Sequence, residues 1–208
     1  MTMKQLDSVT TTFQKATSLS TSTEPTDSGV GTALTTAQRK RSVEKLLEIN
    51  NPTEVDNKLV TSLESITGYK VIELTNTRFG SHGAEFYTRG FDITVNTIDD
   101  AYKAIRAVEC SLATMSPDTI KDQLALLATL VVKPSGETPE DHELRINSLA
   151  YQLMEYPADI VVFAIKKVSQ TCRFWPSYAE FHQHIEWRVK KRKMLLNTLT
   201  KKLVDLTA

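Results

Sequence analysis

The stretch that decides the fold lies between Tyr156 and Phe181 and reads YPADIVVFAIKKVSQTCRFWPSYAEF. Pro157 and Pro176 mark its two corners, and proline at such a corner is typical of a helix about to begin. The residues after Pro157 are apolar on nearly every side, and a helix of that kind is surrounded by other elements rather than laid on a surface. The pattern therefore predicts a buried helix at the centre of a helical fold.

A long helix is predicted to follow, from Ser177 to about Leu206. Ser177 is a suitable capping residue, and Glu180 stands three positions later, as a capping box requires. Apolar residues then recur in alternating three- and four-residue steps, interrupted at Arg192, which indicates a heptad-like seam. The seam consists of Tyr178, Phe181, Ile185, Val189, Leu196, Leu199, Leu203 and Leu206.

The other faces of this helix carry an excess of positive charge, which includes Lys201 and Lys202 near its end. One interpretation is a basic helix that meets nucleic-acid phosphate or an acidic partner. The other is a bundle or coiled-coil helix with a solvated charged face. The first interpretation predicts these nucleic-acid-binding residues: Arg188, Lys190, Lys191, Arg192 and Lys193.

The N-terminal part differs in composition. Residues 1–36 contain 16 serines and threonines, and so polar a segment is predicted to be a disordered tail. From residue 37 the pattern is helical, and a capping residue followed by proline recurs at Asn51, Ser116 and Thr138. Short connections of this type favour helices packed as neighbours in a bundle. We expect a helical region at 37–115 and a C-terminal helical module at 116–208, ending in the long basic helix.

Residues 69–95 interrupt the helices with a glycine-rich β insertion. Two short strands are expected around the segment TNTRFGSHGAEFYTRG, residues 75–90. One interpretation is a mobile loop whose aromatic and basic groups contact nucleic acid. The other is a β-hairpin whose aromatic side chains pack on the helices. The predicted fold is thus mainly α: a helical bundle with a small β-hairpin insertion and a disordered tail.

Composition excludes several classes of function. The formal net charge is zero, so no overall field favours nucleic acid or membrane. Apolar runs fall short of the roughly 20 residues that span a bilayer, and the N-terminus lacks the apolar core of a signal peptide. His182 and His184 are two positions apart and point to different sides of a helix, so no metal site is expected. We expect a cytoplasmic protein that is not an enzyme and uses no cofactor.

The segment from about Met115 to Leu199 resembles a family of small phage and prophage proteins. The resemblance is carried by the YPADIV start at 156–161 and by the FWPSYAEF corner at 174–181. These motifs are similar to those of phage replication proteins that load or regulate the replicative helicase. The resemblance implies a non-enzymatic DNA-replication accessory protein in the host cytoplasm. Its expected partner is a host or phage replicative helicase, with single-stranded DNA as a second candidate.

The corner supplies the predicted partner-binding residues, Phe174, Trp175 and Tyr178. Aromatic side chains bury large areas at small entropic cost, so they suit a rigid anchor for a partner. Alternatively, Trp175 wedges the two helices apart within the core. A different class also stays open: a phage scaffold or adaptor protein that forms homo-oligomers through the heptad-like helix.

Overall fold

The computed structural model describes residues 34–49, 51–80 and 83–208. Within these ranges the chain forms seven helices and one antiparallel β-hairpin, which confirms the mainly α prediction. In order they are α1 (Thr36–Ile49), α2 (Pro52–Thr67), β1 (Ile72–Gly80), β2 (Gly83–Asp92), α3 (Ile98–Ser111), α4 (Pro117–Leu130), α5 (Pro139–Leu153), α6 (Ala158–Thr171) and α7 (Tyr178–Thr207). Residues 1–33 of the predicted tail lie outside the described residues.

The starts of α2, α4 and α5 follow the predicted capping chemistry. At Asn51, Ser116 and Thr138 the side-chain oxygen accepts a hydrogen bond from a backbone N–H two or three residues later. Proline comes next in each case, where its missing N–H costs nothing. Gly68 ends α2 in the left-handed conformation, with φ 73°, and its N–H donates a hydrogen bond to the carbonyl of Glu64 in the last helical turn.

The buried side chains form two apolar clusters. The first is built from α4, α5, α6 and the first half of α7, with contributions from α1 and α2. The second joins α2, α3, the base of the hairpin and the second half of α7. Helix α6 is buried from Ala158 through Val161, as its all-round apolar pattern predicts. The boundary expected near residue 115 stays a prediction, since α7 packs into both clusters.

The predicted seam of α7 is covered from within the same chain. Helices α3 and α6 and strand β2 lie against it. Phe181 and Ile185 are buried in the first cluster, and Leu199 is buried in the second. Much of the seam that was predicted to bring copies together is therefore buried within one chain, while Leu196, Leu203 and Leu206 are half-buried.

The β-hairpin is longer than the two short strands expected. Its register places Ile72 opposite Asp92 and Gly80 opposite Gly83, so both strands continue to the turn. Phe91 at the base is buried in the second cluster. The aromatic side chains farther out are not: Phe79 is 83% exposed and Phe86 77% exposed. The expectation that the hairpin aromatics pack on helices is therefore wrong for these two.

Candidate functional site

The corner between α6 and α7 is fixed to the end of α4 by backbone hydrogen bonds. The N–H of Val132 donates to the carbonyl of Arg173 at 2.9 Å, and the N–H of Trp175 donates to the carbonyl of Val132 at 3.1 Å. The two segments thereby form a short parallel bridge. Such pairing restricts the backbone conformation of the corner.

Trp175 lies at the edge of the first cluster, half-buried, so it is neither fully core nor fully solvent-exposed. Its ring meets the ring of His142 edge to face, with centroids 5.3 Å apart. The Nδ1 atom of His142 lies 3.3 Å from the Glu137 carboxylate. The outer side of the indole borders an open groove.

This groove has a volume of about 680 Å³ and lies between the turn at 134–137, helix α5 and the start of α7. Trp175 and Tyr178 both line it, so the structure brings two of the three predicted partner-binding residues together. Leu144 lies in its wall, 66% exposed. Phe174 is exposed but is not part of the lining, and its ring lies 5.7 Å from the guanidinium of Arg173. The groove therefore combines apolar walls with a polar rim.

Tyr178 is held in place by a second tyrosine. The hydroxyl groups of Tyr156 and Tyr178 are 2.6 Å apart, and the ring of His182 packs against both. Burial, followed by the hydrogen bond to Tyr178, raises the pKa of Tyr156 to about 12. This pair joins the first corner of the central stretch to the second.

The start of α7 is fixed by Glu180. Its carboxylate accepts hydrogen bonds from the backbone N–H of Ser177 at 2.6 Å and from the Ser177 hydroxyl at 2.9 Å. These bonds lower the pKa of Glu180. The thiol of Cys172 also donates to Glu180, at 3.3 Å, and burial followed by that bond raises the pKa of Cys172. The raised pKa disfavours the thiolate, which is the nucleophilic form of cysteine.

The five predicted nucleic-acid-binding residues fall into two groups. Lys190 and Lys193 are exposed on the outer face of α7. The Nζ atom of Lys191, in contrast, is 2.7 Å from the carboxylate of Glu73 on β1. The guanidinium of Arg188 lies 4.4 Å from the ring centroids of both Phe163 and Trp187, and burial lowers its pKa.

The nucleic-acid-binding prediction is contradicted most directly at Arg192, because this residue is completely buried. Two guanidinium nitrogens donate to the two carboxylate oxygens of Asp159, at 2.9 and 2.6 Å. Further bonds go to the Asp56 carboxylate at 2.7 Å and to the Ser111 carbonyl at 2.5 Å. The prediction that Arg192 contacts nucleic acid is therefore wrong, since phosphate has no access to it.

Two features of the sequence indicate this buried ion pair. Arg192 interrupts the apolar seam of α7, and Asp159 is the single charged residue in the apolar first half of α6. A carboxylate on a buried helix needs a partner, and the arginine on an inward-facing position is the matching group. Burial raises the pKa of Asp56, and the adjacent Arg192 only partly offsets this effect.

No protein-family model, curated protein or solved structure matches this chain. Along the described part of the chain, none of the helices is long and apolar enough to cross a membrane. The candidate functional surfaces of the described residues are the groove at the second corner and the exposed face of α7.

Proposed function

We propose that this protein is a non-enzymatic accessory factor of phage DNA replication that binds the replicative helicase in the host cytoplasm. The observation that carries the proposal is the groove at the FWPSYAEF corner, where Trp175 and Tyr178 line one continuous surface. The same corner carries the resemblance to phage helicase loaders. A protein of this class would act by binding rather than by hydrolysing nucleotide.

The groove has the properties of a protein-binding surface. Interfaces tend to have an apolar or aromatic centre with a polar rim, and here Leu144 and Trp175 lie close to Glu137 and Arg145. The Nε atom of Arg145, which is half-exposed, is 2.9 Å from the carboxylate of Glu137, whose side chain is buried. The backbone bonds at Val132 hold the corner rigid, and a preorganised surface loses less entropy on binding.

The test is a binding measurement between the full chain and the replicative helicase of its host, by pull-down and then by calorimetry. We expect Leu144→Asp to weaken binding at least about tenfold, because it places a charge in the apolar wall of the groove. Leu126→Asp is the matched control, since Leu126 is 61% exposed on α4 and does not line the groove. Absence of wild-type binding at micromolar concentrations would remove the helicase proposal. Equal affinities for the two variants would remove the groove as its site.

Single-stranded DNA is the second candidate partner, supported by the exposed face of α7. Trp187, Lys190 and Lys193 follow at three-residue spacing, so they lie along one side of the helix. Phosphate contacts make affinity fall with salt: for single strands, the logarithm of the binding constant falls against the logarithm of the salt concentration with a slope of about 0.7 per contact. Binding constants measured by anisotropy of a labelled oligothymidine should therefore give a slope about 1.4 smaller for the Lys190→Ala/Lys193→Ala variant than for the wild type. Affinity that does not change with salt would exclude phosphate contacts by this face.

The scaffold or adaptor alternative has weaker support. It requires oligomerisation through the heptad-like seam, and α3 and α6 already pack against much of that seam. Leu199→Glu would consequently place a charge in a buried core position and test folding rather than assembly.

A further inference from the structure

The β-hairpin has two chemically different faces beyond its base. Side chains of directly paired residues project to the same side of a hairpin. The pairs Thr75–Thr88, Thr77–Phe86 and Phe79–Ala84 therefore share one side, which we call the phenylalanine face. The residues of these three pairs are uncharged, and the two aromatic rings are the most exposed large apolar groups of the described residues. Glu73, on the same side but nearer the base, forms an ion pair with Lys191.

The opposite face carries the charges. Arg78 is paired with Glu85 there, and Asn76 is paired with Tyr87. A surface that binds nucleic acid places aromatic and basic groups together, so that bases stack while phosphates are neutralised. Here the two phenylalanines and Arg78 point to opposite sides. This separation favours an uncharged protein surface over nucleic acid as the occupant of the phenylalanine face.

We propose that the phenylalanine face packs against the same face of a second copy of this chain, related by a two-fold axis. A two-fold interface brings the same patch from both subunits together. Like charges placed opposite each other would destabilise such a contact, and this face has none. Phe79 and Phe86 are diagonal neighbours across the strands, so two copies would bring four rings into one cluster.

The base of the hairpin is already fixed to the body of its own chain. Phe91 is buried, and Glu73 forms an ion pair with Lys191 and accepts a hydrogen bond from Thr88. The outer part, in contrast, is a two-stranded sheet whose phenylalanine face is left exposed by the described residues, and an isolated two-stranded sheet is marginally stable in water. Contact with a second copy would supply the missing cover.

The area of the phenylalanine face determines how strongly two copies are expected to associate. Each phenylalanine can bury about 150–250 Å², so four rings at the observed exposure contribute about 500–800 Å². Threonine and alanine side chains add to this area, but the total stays below the roughly 1,600 Å² of a standard stable interface. We therefore expect a reversible dimer with a dissociation constant in the micromolar range.

Sedimentation velocity of the full chain between about 1 and 200 µM tests the proposal. The wild type should shift from monomer to dimer with concentration. Phe86→Glu should weaken dimerisation at least about tenfold, because it places two carboxylates near the two-fold axis. Tyr87→Glu is the matched control: it adds the same charge to the next residue on the opposite face, and dimerisation should be unchanged.

Folding is checked by circular dichroism, and Phe79→Glu provides a second variant of the same face. A wild type that stays monomeric throughout would overturn the proposal. So would equal weakening by Phe86→Glu and Tyr87→Glu, because the contact would then not be specific to one face. A monomeric wild type that binds oligothymidine through Phe86 would assign the face to nucleic acid instead.

Discussion

Replacing Arg192 by methionine should destabilise the protein severely, although a methionine fits an apolar seam better than an arginine does. The substitution removes all four hydrogen bonds of the guanidinium. It leaves the Asp159 carboxylate completely buried without a cation, and it leaves the Ser111 carbonyl without this donor. The perturbation therefore tests whether the buried arginine is structural.

The size of the destabilisation follows from the buried charge that the substitution leaves without a partner. Breaking a buried ion pair by removing one partner costs about 3–5 kcal/mol, because the remaining charge is uncompensated. A domain of this size has a total stability of about 5–15 kcal/mol. Arg192→Met should thus remove a large fraction of the free energy of unfolding.

The assay is urea unfolding followed by circular dichroism, with the double variant Arg192→Met/Asp159→Leu as the control. Replacing both partners of a buried pair by apolar residues is often neutral or stabilising. The double variant should therefore recover most of the lost stability, to within about 1–2 kcal/mol of the wild type. The difference between the single and double variants isolates the uncompensated charge of Asp159, because both variants lose the bonds to Asp56 and Ser111.

A stability deficit of Arg192→Met below about 1 kcal/mol at neutral pH, or no recovery in the double variant, would refute a buried structural ion pair.

Three further substitutions test neighbouring contacts. Asp56→Asn should cost far less than Asp159→Asn in urea unfolding, because burial already raises the pKa of Asp56 and one guanidinium serves two carboxylates; an equal cost would contradict this. Tyr156→Phe should cost about 0.5–1.5 kcal/mol. The wild type should also lose stability above pH 10, since the unfolded tyrosine ionises near 10 and the folded one only near 12; a flat profile there would argue against the Tyr156–Tyr178 bond. Glu180→Ala should cost about 1 kcal/mol at pH 7, because α7 loses its capping carboxylate. The lowered pKa of Glu180 gives stability that is present above the unfolded value and lost as pH falls through the folded one. The wild type and the variant should therefore converge in acid.

The helix starts were predictable because their chemistry is local. The caps at Asn51, Ser116 and Thr138 use a side chain and a backbone N–H no more than three residues apart. Their residue types and the following proline are visible in a short window of sequence. The buried character of α6 was predictable for a similar reason, because its apolar residues are consecutive.

The length of the hairpin could not be predicted from alternation. Its outer residues are exposed on both faces, so threonine, asparagine and arginine alternate without the apolar period that marks a half-buried strand. Only the base, where Phe91 and Ile93 are buried, carries that period. The exposure of Phe79 and Phe86 likewise depends on the direction in which the strands leave the body, and no local pattern encodes it.

The role of Arg192 depends on contacts that are distant in the chain. Asp159 is 33 positions away and Asp56 is 136 positions away, so local charge counting places Arg192 with the neighbouring exposed lysines. Helical position separates it from them, because a seam position points inward whatever residue occupies it. Some of the basic residues of α7 are thus structural, and others lie on its surface. Of the five predicted nucleic-acid-binding residues, Lys190 and Lys193 are the two that lie exposed on the surface.

Arg192 also explains how the two apolar clusters form one body. It lies on α7 between Val189 of the first cluster and Leu195 of the second, and it reaches residues of α2, α3 and α6. Apolar contacts alone tolerate small shifts of one helix along another, whereas a bidentate ion pair has a single geometry. We infer that this pair sets the register of α7 against α6. The groove is built on the start of α7, and the hairpin is tied to α7 through Lys191 one residue before the pair. A fixed register would therefore position both candidate binding surfaces from the same buried contact.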